Sequence, residues 1–518
     1  MARTRQCEVR RTPARGARRA AYLPPAGWRQ GLATDGYGQG AARRSLDGRG
    51  ADRPAKANDG GKTVSEEKAA AAVTRELAGR LDDGVVVTSG TAYEETCRIW
   101  NGAVTSRPAL VVRARIPSDV QAAVIAAGEH GLPLSVRSGG HDWAGRSLRD
   151  GGLVIDLTGM AEVTTDPARR VASAGGGATT AAVLAAAEPH GLAAVTGTVA
   201  SVGMAGLTLG GGYGLLNGHF GLAVDNLLGA DLVLADGRAI SVDDETEPEL
   251  FWAIRGGGGN FGVVTSMRFR LHAVRRVLTG VIGYRLHQAS SVLAQLDGVL
   301  ADAPDELTVQ IIILTGSDGE PGLFLRPLWS GDLSAGESRV RQLERLGTPV
   351  FAQVDRMTYG EAVRQNDAQG EAGDHVTART RRLPGYTDGA VLSLSEAGQT
   401  LTSAESGIVV HDFHGAAARI PVEFTAFGVR RPHLMVEVIG RWKPGPATAH
   451  EAWADRTARA LAPYALPGGY PNMLGPADDA QIALAYGPNT ARLLAAKQRF
   501  DPGCVFSATP LPSLRAAA

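Results

Sequence analysis

Cysteine is scarce: 518 residues carry three, Cys7, Cys97 and Cys504. An odd count with no metal-type spacing excludes a disulfide framework and a thiolate metal cluster as organising devices. An excess of either charge is also lacking. Lys plus Arg and Asp plus Glu both number 53, so no general field draws the chain to nucleic acid or to an anionic bilayer. No apolar run reaches the roughly 18 residues of a membrane-spanning helix. The basic N-terminus (Arg3, Arg5, Arg10, Arg11) is not followed by the apolar core of a secretory or twin-arginine signal, so the expected compartment is the cytoplasm. A small-molecule partner is expected, with neither nucleic acid nor membrane.

Glycine is what the chain has in abundance. Its 67 glycines follow no fixed period, and a 44% hydrophobic content can build cores, so collagen-like and disordered readings fail. The length predicts two domains plus extra segments. Residues 1–62, rich in Arg, Gly, Ala and Pro, lack apolar periodicity and are expected to form a disordered arm. Helical spacing runs from Val64 to Leu81 and a short strand follows at Val85 to Thr88. Ala109 to Arg115 reads as a strand, Ser118 as the cap of a helix through Gly128, and Leu132 to Val136 as a second strand, together a βαβ unit.

That second strand delivers Arg137-Ser-Gly-Gly-His141. Two glycines let backbone pass close to a bulky anion, and an imidazole follows at once. The bland alternative is a glycine turn before a surface His. Strands at Gly151 to Leu157 and Val171 to Gly177 and a helix from Thr180 to His190, stopped by Gly191, lead to a second glycine-rich stretch. It contains Gly197-Thr198-Val199, Val202-Gly203, Gly206 and Gly210-Gly211-Gly212-Tyr213-Gly214. A third, Gly256 to Gly262, formally satisfies GxGxxG. A dinucleotide fingerprint must open a helix, however, and Val263 to Leu271 alternates as a strand.

Beyond Ala273 the pattern changes to strands (Gly280 to Tyr284, Thr308 to Leu314, Leu323 to Trp329) and helices (Ser290 to Leu300, Ser334 to Leu346). The second helix carries an apparent capping box, Ser334 with Glu337. An antiparallel sheet backed by helices is expected to bind substrate. Thr377 to Leu383, with Arg379, Arg381 and Arg382, is either the lining for an anionic substrate or a solvated face. His411 and His414 have no third ligand at metal spacing, so no metal is expected. In His433 to Trp442, Leu434, Val436 and Val438 share an apolar face, and Met435, Glu437, Ile439 and Arg441 share the other. Ala491 to Arg499 reads as a last amphipathic helix, ended by Asp501-Pro502-Gly503.

The turn at His141, the two later glycine stretches and the closing segment (Tyr470, Asn472, Tyr486 to Phe506) resemble the berberine bridge enzyme-like oxidases of the vanillyl-alcohol oxidase superfamily. The resemblance runs from about Tyr93 to Pro512. It implies an α+β fold: a two-part PCMH-type FAD-binding domain over 63–273, a substrate domain over 274–465, and a C-terminal segment, 466–518, returning to the FAD domain. FAD would be bonded through its 8α-methyl to His141, with Arg137, Ser138, Gly139, Gly140 and Ser147 around it. Gly197, Thr198, Val202, Gly203 and Gly206 would follow, then Gly211, Gly212, Tyr213 and Gly214. Asn260, Gly262, Val264 and Asn472 complete the implied cofactor set.

Where many relatives have a Cys that forms a second flavin bond, this chain has Val199, so attachment through His141 alone is implied. Val202 replaces a bulkier Leu associated with blocked oxygen access, which favours an oxidase using O2. Glu437, five residues before Trp442, takes the place of a catalytic Glu or Gln, and Tyr470 is the reserve base. Met473 stands where relatives carry a second Tyr. The implied activity is oxidation of an alcohol or activated C–H of a sugar or secondary metabolite. A flavin dehydrogenase, a ring-closing enzyme of the same fold and a non-catalytic flavin-binding protein remain as alternatives.

Overall fold

The computed structural model describes residues 64–475, 478–507 and 509–512; the arm expected over 1–62 lies outside them. Among the described residues no helix is long and apolar enough to cross a membrane.

The first sheet is small and mostly parallel. Its strands run in the order Val86–Val87, Leu110–Arg113, Leu153–Asp156, Leu134–Arg137. The last three are parallel, in register from Leu110 and Leu134 against Leu153 to Arg113 and Arg137 against Asp156. Such strands are covered on both faces, and Leu110, Val112, Leu153 and Ile155 are accordingly buried against the helices Val64–Arg80 and Pro117–Glu129. The latter helix does not start at Ser118. Pro117 occupies its first position, where a fixed φ suits the first turn, and the Asp119 carboxylate accepts the N–H groups of Arg115 (2.9 Å) and Ile116 (3.4 Å). Ser118 therefore lies inside the first turn, and Asp119 ties down the backbone N–H groups of the two residues that lead into the helix.

The second sheet is antiparallel, in the order Val163–Asp166, Val171–Gly175, Val263–His272, Leu227–Val233, Ala239–Val242, with Ala193–Ala194 also on the central strand. The glycine run at 256–262 leads straight into that central strand, as the alternation of Val263 to Leu271 requires. The helix Thr490–Phe500 packs on Pro248–Ile254, and Leu493 and Ala496 join Phe251, Trp252 and Phe261 in one core. Asp501, fully buried, ends this helix by accepting the N–H groups of Val505 (3.0 Å) and Phe506 (2.9 Å).

The third sheet has seven antiparallel strands: Phe351–Met357, Val277–Arg285, Pro321–Trp329, Leu307–Thr315, Gly407–Phe413, His433–Trp442 and His375–Leu383. One face packs on helices Ala289–Ala301, Asp388–Gln399 and Thr448–Leu461, through Val309, Val410, Val436, Val438 and Trp453. The helix Leu333–Glu344 is capped by Asp332, whose carboxylate accepts from the backbone of Ser334 (3.1 Å) and Ala335 (3.2 Å). The Ser334–Glu337 box is thus not formed. Asp332 is the better acceptor two positions earlier, and Glu337 pairs with Arg356 instead.

The arginine-rich edge strand is divided: Arg379 and Arg381 are partly exposed, and Arg382 fits neither a solvated face nor the cleft lining. Arg382 is fully buried and donates to Gly469 O (2.6 Å), while Arg379 pairs with Asp455 (2.7 Å).

Candidate active site

A cleft of about 400 Å³ opens between the glycine turns of the first two sheets and the free face of the third. Its floor begins where the strand Leu134–Arg137 ends. Arg137 turns back to the buried carboxylate of Asp156 (3.2 Å), anchoring the turn from behind. Ser138 Oγ donates to Gly176 O (2.7 Å). Gly139 then passes so close to Gly203 that a Cβ on it would lie 2.3 Å from Gly203 N. Two backbones can meet there only because neither carries a side chain.

His141 emerges on the cleft wall with two neighbours. Its Nε2 lies 2.9 Å from Ser201 Oγ, and its ring stacks on Trp100 with centroids 5.7 Å apart and planes 23° apart. Trp100 is itself held by Nε1–H donated to Gln369 O (2.9 Å). Burial, assisted by the Arg137 cation, lowers the His141 pKa to about 4, so the imidazole is neutral at pH 7.

The floor fits a flavin dinucleotide. The N–H groups of Gly139, Gly140, His141 and Asp142 find no acceptor among the described residues, which makes a run of donors of the kind that cradles phosphate. Ser147 Oγ is buried without a partner on the same wall. Gly206 faces open space, with nothing within 4 Å of where a Cβ would sit. Buried polar atoms left alone by the protein mark a missing partner.

Most of the residues implied by the resemblance come together on this wall: Ser138 to His141, Ser147, Gly197, Thr198, Val202, Gly203, Gly206, Tyr213, Gly262, Val264 and Asn472. Five do not. Arg137 is spent on Asp156. Gly211, Gly212 and Gly214 allow tight packing behind the wall, where a Cβ would meet Phe427 at 2.9 Å, Ala223 at 2.6 Å and Thr196 O at 1.8 Å respectively. Asn260 lies off the wall and donates to Gly257 O (2.8 Å) and Thr509 O (2.9 Å), tying down the C-terminal segment. Val199 does line the cleft, and neither described cysteine, Cys97 or Cys504, reaches it.

The roof is the sheet face that carries Glu437, as the alternation of its strand predicts. Glu437 lies between Val409 and Thr380 on neighbouring strands, its side chain 16% exposed and Oε1 3.6 Å from His411 Nε2. Tyr470 closes the adjoining corner, its hydroxyl accepting from Gly212 N (3.0 Å) and Asn472 Nδ2 (3.0 Å). Burial raises the Tyr470 pKa to about 12, so it stays a phenol near neutrality. Behind it Tyr213 donates to His433 Nε2 (2.8 Å), because His433 Nδ1–H is committed to the carbonyl of Arg431 (2.8 Å). Sequence reasoning missed Gln310, Ile312, Val409 and His411 as cleft residues. Apart from Gln310 the stretch Val309 to Leu314 is aliphatic on both faces, so its pattern does not say which face meets the cleft.

Comparison with known proteins agrees with this geometry. Residues 108–243 match a family model described as an FAD binding domain. The FAD-linked oxidoreductase aurO of Gibberella zeae is 30% identical over 441 residues, 83% of this chain and 86% of that protein. The crystal structure of 6-hydroxy-D-nicotine oxidase from Arthrobacter nicotinovorans superposes with a TM-score of 0.76 at 29% identity, covering 84% of this chain and 98% of that one. Xylooligosaccharide oxidase from Myceliophthora thermophila, in complex with xylobiose, gives a TM-score of 0.76 at 25% identity, covering 85% and 99%. With a flavin cradle in its floor and relatives of this extent, the chain belongs to the berberine bridge enzyme-like FAD-linked oxidoreductases of the vanillyl-alcohol oxidase family.

Proposed function

We propose that the protein is an FAD-dependent oxidase that removes hydride from an alcohol or activated C–H of a small molecule, with O2 as final acceptor and hydrogen peroxide as the second product. Residues 63–273 with 466–518 hold the cofactor in this reading, and 274–465 roof it. When bound, FAD supplies the two-electron acceptor; the protein supplies position, a dry cleft and a proton acceptor. His141 is the attachment residue. With its Nε2–H donated to Ser201 Oγ, the Nδ1 lone pair of a neutral imidazole is left for the single covalent bond. Val199 offers no second one.

The observation that carries the reading is the placement of Glu437 and Tyr470 on the wall of the cleft whose floor presents His141. Glu437 takes the substrate proton as hydride leaves. Tyr470 accepts two hydrogen bonds from the protein and has its own O–H free to donate to the substrate oxygen. A base in this position contributes roughly 10²–10⁴ in rate. Glu437→Gln should therefore keep its flavin yet slow anaerobic flavin reduction by about 10²-fold or more. Reduction at the wild-type rate would move the base elsewhere. Peroxide release measured beside dye reduction tests oxidase against dehydrogenase, and the names of the relatives, which span a nicotine derivative and an oligosaccharide, define the first substrates to try.

A further inference from the structure

The strand register of the roof is a map of what it can bind. Gln310 pairs with His411, Ile312 with Val409 and Leu314 with Gly407. On the next strand Val409 pairs with Glu437 and Gly407 with Ile439. Since side chains repeat every second residue, these positions face the cleft together. The roof therefore has a polar end, Gln310 and His411, with Glu437 one row on, followed by an aliphatic field of Ile312, Val409, Leu314 and Ile439.

The polar end is the deep end. Gln310 is 4% and His411 7% exposed, whereas Ile312, Leu314, Val409 and Ile439 are only partly covered and face open cleft. Gln310 Oε1 is buried there with no hydrogen-bond partner. A buried carbonyl oxygen left alone is costly unless a bound molecule brings it an O–H or N–H.

Charge narrows the choice further. Among the described lining residues the cations are Arg146 and Arg441. Arg146 has its charge offset by Asp142 and also donates to Asn472 O (3.1 Å), with Nη1 buried and left over. Arg441 spends Nε on Asp374 (2.8 Å), Nη1 on Gln369 O (3.2 Å) and Nη2 on Glu371 O (3.3 Å). Glu405 and Glu437 remain on the roof without a guanidinium partner, which disfavours a carboxylate or phosphate. A saccharide needs a polar partner for nearly every hydroxyl, and four aliphatic side chains would leave those hydroxyls desolvated.

We propose that the substrate is an uncharged or cationic, predominantly apolar ring compound carrying one protic head group, an alcohol or an amine, and not a sugar or an acid. The inference rests on the oxidase reading of the same cleft. The head group reaches Gln310 Oε1 at the deep end beside Glu437, and the ring body lies under Ile312, Val409, Leu314 and Ile439.

The test separates binding from turnover. The purified holoenzyme is titrated anaerobically with α-tetralol, its amine, its carboxylic acid, tetralin itself and cellobiose, reading the shift of the flavin absorption band. The alcohol and amine should saturate at concentrations at least about tenfold below the acid and cellobiose, because only they bury a ring without stranding charge or hydroxyls. Gln310→Met should bring the alcohol down to the affinity of tetralin while leaving tetralin unchanged. Val409→Asn and Ile439→Asn should each weaken the alcohol, and flavin content confirms that they fold. Cellobiose or the acid binding as tightly as the alcohol, no shift with any ring compound, or variants with unaltered affinity would each overturn the proposal. Ring compounds that bind in this order but never bleach the flavin would sink the oxidation reading and leave this one standing.

Discussion

The pH dependence of flavin attachment should distinguish His141 from an ordinary histidine. The reactive form is the neutral imidazole, so the acid limb of the attachment rate follows the imidazole pKa. Burial beside Arg137 puts that value at about 4 against the ordinary 6.5 of an imidazole. The sign follows: a lowered pKa keeps the lone pair available at lower pH. At pH 5 an imidazole of pKa 4 is about 90% neutral, whereas one of pKa 6.5 is only about 3% neutral. Between pH 8 and pH 5 the rate should therefore fall by about a tenth, against roughly 30-fold for an exposed histidine. Apoprotein is mixed with FAD at each pH, quenched in acid, and the yellow retained in the pellet is measured against time. Ser201→Ala supplies the control. It removes the hydrogen bond to Nε2, worth about 0.5–1.5 kcal/mol, so attachment should slow about 2- to 10-fold with the acid limb unmoved. A wild-type midpoint near pH 6.5 would refute the buried, neutral imidazole, and a colourless pellet at every pH would refute attachment itself.

The remaining expectations are shorter. Tyr470→Phe removes a donor and not a base, so it should slow anaerobic flavin reduction less than Glu437→Gln does; a larger loss would make Tyr470 the principal proton acceptor. Arg430 and Asp225 form a bidentate pair at 2.9 and 2.7 Å with both side chains under 5% exposed. Asp225→Asn should destabilise by about 3–5 kcal/mol by leaving a buried cation, read as a lowered thermal midpoint, and an unchanged midpoint would show that water reaches Arg430.

What the sequence revealed and what it hid divide along a physical line. Glu437 was legible because a strand has period two: once Leu434, Val436 and Val438 are apolar, the face carrying Glu437 is fixed without knowing the neighbours. The roof was illegible for the converse reason. That Gln310 stands beside His411, and Val409 beside Glu437, is a matter of register between strands far apart in sequence, decided by the packing of whole faces and not by any local pattern. The misplaced caps show a smaller version of the same limit. Ser118 and Ser334 are good caps in isolation, but the first helix already begins at Pro117, and at the second Asp332 reaches the open N–H groups first.

Glycine poses the harder problem, because the same residue answers two different needs. In the second glycine stretch the sequence gives Gly206 and Gly214 equal standing. A Cβ on Gly206 would meet nothing, so its bareness leaves room in the cleft; one on Gly214 would lie 1.8 Å from Thr196 O, so its bareness lets two parts of the chain touch. Replacing the first by alanine would therefore act on cofactor binding, and replacing the second would act on folding. A run such as Gly-Gly-Gly-Tyr-Gly marks where backbone must come close to something without saying whether that something is a ligand. Here the turn at His141 and Gly197 to Gly206 line the cleft, while Gly211 to Gly214 lie behind its wall and set Tyr213 and Tyr470 into it.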